Sequence, residues 1–284
     1  MKLTDIFQET YSALLSNKVR SGLTMLGIVI GIGSVIAMVS IGQGAQSAIE
    51  SKIESLGSNL ILITPGMQRG VGTQISSGRG SATTLTNEDS EAIMAEISLV
   101  QSVAADLSSR YQVTAKGTNT NTSIVGTEPS YLEVRNLEIG TGSFISDANL
   151  KSMSKVAVVG PSVVDDLFGE DVEDSSVIGQ TIKINKIAFK IIGVSKEKGS
   201  SGATNQDDMI FIPLTTAQKF LAGKERLSTI SVQVVDQDSM TEAQSQITEL
   251  LLSRHDITDA TKADFTIMNQ SEIVSSASSI TGTL

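Results

Sequence analysis

The chain has 284 residues, a formal net charge of −10, and neither cysteine nor tryptophan. The acidic balance argues against nucleic-acid binding, which needs a basic footprint. The missing thiols exclude disulfides and thiolate chemistry.

Residues 1–20 read MKLTDIFQETYSALLSNKVR, with Leu3, Ile6, Phe7, Leu14 and Leu15 near helical spacing and charged residues between them. An amphipathic helix on the cytoplasmic membrane face is expected there. No formal charge follows Arg20 until Glu50, and the centre of that gap, Gly22 to Gly42, reads GLTMLGIVIGIGSVIAMVSIG. A bilayer's hydrocarbon core needs about 20 apolar residues of helix, so residues 21–49 are expected to cross a membrane. The length and the missing polar face argue against a buried core helix. A secretory h-region is shorter, although Ala45-Gln46-Ser47 has the small residues of a cleavage site. A pilin-type helix carries a glutamate close to its cleavage point, absent from Gly22 to Gly27. Lys18 and Arg20 abut the stretch, and its far side has no basic residue until Lys52. The positive-inside rule therefore puts the N-terminus in the cytoplasm and the bulk of the chain outside, in the periplasm or extracellular space. Gly27 and Gly31 form a GxxxG, followed by Gly33, a spacing that lets another helix approach closely.

The helix is expected to continue to about residue 56, with Ala48, Ile49, Ile53 and Leu56 on one stripe and Gly57 as its stop. Roughly 235 residues follow residue 49, enough for one large or two small cores. Asn59 to Thr64 reads as a buried strand. Residues 66–82 hold five glycines and three serines and read as a mobile loop, without the Lys-Ser/Thr of a phosphate-binding loop. Thr86 to Asp89 resembles a capping box opening a helix to Ile97. Strands are predicted at 100–105, 110–115, 122–126 and 156–159. Tyr131 to Val134 is helical or extended, Gly140 to Gly142 a turn, and Pro161 the first residue of a short helix. Thr181 to Val194 alternates as a hairpin turning at Asn185-Lys186. Residues 198–208 read as a second mobile loop. Met209 to Ile212 is a strand before a helix capped by Thr215 or Thr216. Ser228 to Val235 is a strand, Ser239 to Glu242 a capping box for a helix to Arg254, and Asp264 to Met268 the last strand.

Two stretches share one plan: strand 59–64, helix 86–97, strand 100–105, and strand 228–235, helix 239–254, strand 264–268. The expected fold class is α+β, with one N-terminal transmembrane helix and two β-α-β units forming a ferredoxin-like layer. Residues 57–130 and 226–270 make that layer, and residues 131–225 an inserted β-rich subdomain.

The search for chemistry finds little. His255, the only histidine, reads as a surface residue at a helix end. Asp165-Asp166 would point about 100° apart on a helix, and Asp207-Asp208 reads as a solvated loop pair. There is no G-x-S-x-G elbow and no P-loop. No catalytic, metal or cofactor site is expected.

Several runs then resemble one family in order. Asn17-Lys-Val-Arg-Ser-Gly-Leu-Thr-Met-Leu-Gly-Ile-Val-Ile-Gly31 is similar to the first membrane segment of MacB-like permeases, within the FtsX-like group of ABC transporters. Gly57-Ser-Asn-Leu-Ile-Leu-Ile63 resembles the strand opening their extracytoplasmic core domain. Gly142-Ser-Phe-Ile-Ser-Asp147, Val156-Ala-Val-Val-Gly160, Leu167-Phe-Gly169, Ile178-Gly-Gln-Thr-Ile-Lys-Ile184 and the run Gln206 to Ala217 follow. The resemblance implies a porter subdomain interrupted by a smaller β-rich one, in a bacterial inner membrane. It also implies an ABC ATPase subunit that holds ATP and Mg, a second permease subunit in a homodimer, and often a periplasmic adaptor protein. The family works by mechanotransmission, in which ATP-driven movement is relayed through membrane helices to the outer domain to drive efflux. Because the chain opens at Met1, a separate ATPase chain is expected. Residues 271–284 stand where the lead-in to a second span is expected, with further spans beyond. The family often has Asn-Gly where this chain has Asn185-Lys186. The alternative reading is a single-span anchored sensor or binding domain.

Overall fold

The computed structural model describes residues 18–55, 59–69, 76–79, 84–198, 200–201 and 204–269. The expected helix at 1–17, the Gly57 stop, the side chains of the stripe Ala48, Ile49, Ile53 and Leu56, and residues 271–284 lie outside them. The described residues divide into two compact units, one ending at Ser51 and one beginning at Lys52. Helix α1 (Lys18–Ser55) begins in the first and runs unbroken through the apolar stretch and past it.

The second unit is built on one large sheet. In chain order it contains β1 (Leu60–Pro65), a ribbon of β2 (Met67–Arg69) and β3 (Ser76–Arg79), α2 (Asn87–Glu96), β4 (Val100–Ala115) and β5 (Thr118–Thr127). Next come α3 (Tyr131–Val134), β6 (Ile139–Gly142), α4 (Asp147–Lys151), β7 (Val156–Val159), α5 (Pro161–Phe168) and α6 (Asp174–Val177). Then follow β8 (Thr181–Ile184), β9 (Ile187–Ser195), a ribbon of β10 (Ser200–Ser201) and β11 (Thr204–Asn205), β12 (Met209–Pro213) and α7 (Leu214–Ala217). The chain closes with β13 (Thr229–Val234), α8 (Met240–Arg254) and β14 (Phe265–Asn269).

The two β-α-β stretches interlock. The strand order is β14-β1-β13-β4, each pair antiparallel. Helices α2 and α8 bury Ile93, Ile97, Ala243, Ile247 and Leu251 in one cluster with Ile61, Ile63, Ile230 and Val232. These are the apolar positions that helical and strand periodicity select. Beyond this layer the strands close into a ring: β4 pairs β5, β5 pairs β12, β12 pairs β7, β7 pairs β9, β9 pairs β8, and β8 returns to β4. Strand β12 is buried on both faces. Ile210 and Ile212 join the cluster under α5, while Met209 and Phe211 join a second cluster with Tyr131, Phe144 and Val158.

Several expectations are corrected. The two short strands at 100–105 and 110–115 are one continuous strand, β4, because its N-terminal part pairs β13 while its C-terminal part pairs β5 and β8. Gly140 to Gly142 belongs to a strand, β6, which adds to β9. Ser239 does not cap α8 with its side chain; instead its backbone N–H donates to Asp236 at 2.7 Å. Thr215 and Thr216 cap nothing; their hydroxyls donate to the Leu150 and Ser154 carbonyls at 2.7 and 3.0 Å, pinning the α4–β7 connection to α7. Asp207 is buried rather than solvated, and its carboxylate accepts from Lys198 N–H at 2.9 Å. Gly160 packs against that turn so closely that a Cβ would overlap the Asp207 carbonyl oxygen.

His255 is the largest correction. Its side chain is 9% exposed, with Nδ1 2.8 Å from Asp264 and Nε2 3.3 Å from Asp89. Its ring meets Phe265 edge-on at 5.8 Å. Asp89 also accepts from Arg254 Nε at 2.8 Å and from the Thr86 backbone N–H and hydroxyl at 2.9 Å. This one carboxylate therefore joins the start of α2 to the end of α8. Burial pushes its pKa up, and the hydrogen bonds from Arg254, Thr86 and His255 outweigh that and hold it below 3.8. Asp106, where β4 changes partners, is the opposite case: burial pushes its carboxyl up to about 7 against the pull of Arg135.

Four outcomes follow for the detergent-solubilised chain. Asp89→Ala strands Arg254 and His255 and is expected to cost about 2–4 kcal/mol at neutral pH in urea unfolding. Because the folded Asp89 titrates below 3.8, its contribution is present above that pH and is lost as pH falls further, so Asp89→Asn should flatten the acid limb. For Asp106 the sign is reversed. The unfolded carboxyl ionises from 3.8 upward and the folded one only near 7, so stability falls as pH rises through that interval. Asp106→Asn should remove that slope and gain a few kcal/mol at alkaline pH. At the β8–β9 turn, Asn185 and Lys186 have φ of 47° and 68°, the positive pair of a type I′ turn. Lys186→Gly should stabilise by about 1 kcal/mol, read as a higher urea midpoint with unchanged slope.

Candidate functional site

Within α1, Lys18 and Arg20 are exposed at the N-terminal end, and Lys18–Gly44 is long and apolar enough to cross a membrane. Its large side chains, Leu23, Ile32 and Met38 among them, are more than half exposed. Two polar side chains of the stretch, Thr24 and Ser34, are satisfied within the helix. The Thr24 hydroxyl donates to the Arg20 and Ser21 carbonyls at 3.0 Å, and the Ser34 hydroxyl donates to Ile30 at 2.6 Å. Such back-bonding removes the cost of carrying a hydroxyl into an apolar medium.

At about 100° per residue, Gly27 and Gly31 lie on one face, joined by Ser34. Gly33 does not share it. It stands about 140° away from their midline, aligned with Ala37, Ser40 and Gly44. A Cβ at Gly27, Gly31 or Gly33 would meet no heavy atom within 4 Å, so these faces are open.

Several charged groups of the second unit have structural roles. Asp166 accepts from the Thr120 hydroxyl at 2.8 Å, and Asp208 faces Arg110 at 3.5 Å. Burial raises the Glu128 carboxyl, whose Oε2 accepts from Ala105 N–H at 3.4 Å. Burial, with the nearby Arg135 charge, lowers the Lys198 ammonium, which donates to the Arg135 and Asn136 carbonyls at 3.1 and 2.8 Å. Among the described residues, no three of His, Asp and Glu converge as a metal site. A groove of about 500 Å³ includes Asn87, Met153, Gln218, Lys219 and Lys224. Its residues come from separate segments, which only the fold brings together, and sequence spacing gives no sign of it.

The family profile of the MacB-like periplasmic core domain matches residues 21–250. A macrolide export ATP-binding/permease protein MacB from Bdellovibrio bacteriovorus is 36% identical over the whole chain, which covers 43% of that relative. The namesake from Wolinella succinogenes is 35% identical, with the whole chain covering 42% of it. This chain thus spans about two-fifths of the length of these relatives. In fold, it is similar to the crystal structure of the periplasmic region of MacB from Actinobacillus actinomycetemcomitans, with a TM-score of 0.64 at 24% identity over 80% of this chain and 96% of that one. The extracellular domain of the noncanonic ABC-type transporter YknZ from Gram-positive bacteria follows, with a TM-score of 0.59 at 18% identity over 74% of this chain and 100% of that one. An apolar helix leading into this fold, and a profile match that begins inside that helix, place the chain in the family of the MacB-like periplasmic core domain.

Proposed function

We propose that the chain acts as the permease subunit of a bacterial ABC exporter, coupling ATP hydrolysis on a separate ATPase subunit to motion of the domain outside the membrane. The observation that carries this reading is α1. It is one uninterrupted helix from Lys18 through the apolar stretch to Ser55, and its glycine faces are open to other helices. A helix of this kind can carry displacement along its axis without chemistry of its own. With Lys18 and Arg20 on the cytoplasmic side, the outer domain lies in the periplasm or outside the cell. We read the order β14-β1-β13-β4 as support for a ferredoxin-like layer. We read residues 57–130 and 226–270 as that porter-like layer and residues 131–225 as the inserted part. ATP and Mg belong to the ATPase, a second permease subunit supplies helices for the glycine faces, and a periplasmic adaptor continues the path. The relatives' names make macrolides the first substrates to test.

The test uses the full-length gene product co-purified with its ATPase and reconstituted in vesicles. Gly27→Leu with Gly31→Leu is expected to leave membrane insertion intact while lowering substrate moved per ATP hydrolysed several-fold. Lost insertion with an unchanged transport ratio in the surviving protein would return the helix to the role of an anchor.

A further inference from the structure

The groove beside α7 has features of a built recognition surface. Its floor is fixed by a reciprocal amide pair: the buried Gln218 donates to Asn87 Oδ1 at 2.9 Å, and Asn87 donates back at 3.3 Å. Residues Gln218–Ala222 continue α7 as a π-helical turn, closed by Gly223 N–H donating to the Gln218 carbonyl at 2.9 Å. Tyr111 holds that turn from below, its hydroxyl donating to the Leu221 carbonyl at 3.2 Å. Such turns are rare in helices and concentrate at functional sites. Across the groove Met153 has φ of 48°, and it is the one apolar residue with positive φ among the described residues. A bulky side chain seldom adopts that conformation without compensation elsewhere.

The surface chemistry points to a ligand. Lys219 and Lys224 line the groove with Glu225. Neither lysine has an ion pair or hydrogen bond among the described residues, in a chain whose net charge is −10. Among the described residues of the second unit four large apolar side chains are exposed; of these Met153, at 43%, lines the groove, and Phe220, at 38%, belongs to the π-helical turn that borders it. Lys155 caps the Phe220 ring at 4.5 Å. Unpaired cations beside an exposed aromatic and a methionine match interface anchors, where apolar contact gives affinity and charge gives orientation. A free inorganic anion would have no use for the apolar flank.

We propose that this groove docks an acidic segment of a partner polypeptide, its carboxylates on Lys219 and Lys224 and an apolar side chain against Met153 and Phe220. The site lies wholly in the second unit and stands independently of the coupling proposed above. The test pans a random peptide library over the full chain in detergent micelles, followed by affinity measurements on recovered peptides. Recovered peptides should be rich in Asp and Glu with an interspersed apolar residue. Lys219→Glu with Lys224→Glu should weaken their binding about tenfold or more, and Phe220→Ser should weaken it independently. A peptide with its acids exchanged for lysines should bind the doubly reversed chain, a rescue that a merely unfolded variant cannot give. Recovered peptides without acidic enrichment, or acidic ones indifferent to the lysine reversal, would overturn the proposal. So would self-association of the chain that disappears on reversal, which assigns the groove to a second copy. Lysine-dependent binding of phosphatidylglycerol vesicles in place of peptides would assign it to a membrane surface.

Discussion

Strand β4 is the constraint on which the second unit depends. It runs for 16 residues, where strands commonly run about five or six. Its first residues, Val100 to Asp106, form a ladder with β13 and tie it to the layer under α2 and α8. From Asp106 onward its ladder is with β5, and at Val113 and Thr114 it also holds β8. Strand β9 repeats the device, taking β8 along its first residues and β6 along its last, with β7 pairing from Lys190 onward. Two long strands that exchange partners along their length close the ring and leave few free edges. Free edges invite wrong pairings, so closure also protects the fold from its own strand-rich composition.

That sharing locates the tension in the structure. Asp106 stands where β4 passes from one partner set to the other, and burial keeps its carboxyl partly protonated near neutrality. Elsewhere several buried polar groups are paired across elements distant in sequence: Asp89 with Arg254 and His255, Asn87 with Gln218, Thr216 with Ser154. Each such group would be costly to bury alone, so each pair is worth more as a specification of which elements must meet than as net energy. Part of the buried ionisable chemistry of the second unit is thus absorbed in holding elements together, whereas the lysines of the groove beside α7 stand outside those pairs.

Much of this was legible in the chain. Alternation gave the β8–β9 hairpin and its turn, Pro161 marked the start of α5, and the spacing of Ile93, Ile97, Ile247 and Leu251 gave the faces of α2 and α8. The pairing of the two β-α-β stretches followed from their common plan. What periodicity could not show was partner exchange along one strand, because residues 106–109 lack the uniform alternation of a strand with one buried face. It also missed side chains whose partners are far away in sequence. His255 sits at a helix end like many surface histidines, and only the arrival of Asp89, 166 positions away, buries it. Thr215 and Thr216 look like helix caps, yet their hydroxyls go to another segment. The groove is the extreme case, being made of segments that have no local signature.

The glycines offer a comparison within the same molecule. In the second unit, glycines such as Gly126, Gly160 and Gly193 are explained by their own chain: a Cβ would overlap Ala217, Asp207 or Ser143. In α1, Gly27, Gly31 and Gly33 meet nothing. Glycine in a helix interior costs about 1 kcal/mol relative to alanine in water, and an anchor alone gains nothing in return. In lipid, helices are not driven together by the hydrophobic effect, since lipid tails are as apolar as leucine. Association there depends on close backbone approach, which small residues permit. By the same rule, the glycines of α1 fit the helix neighbours proposed above. The direction in which Gly27 and Gly31 point, away from that of Gly33, makes the first of these faces the one to block when asking whether the helix transmits or only anchors.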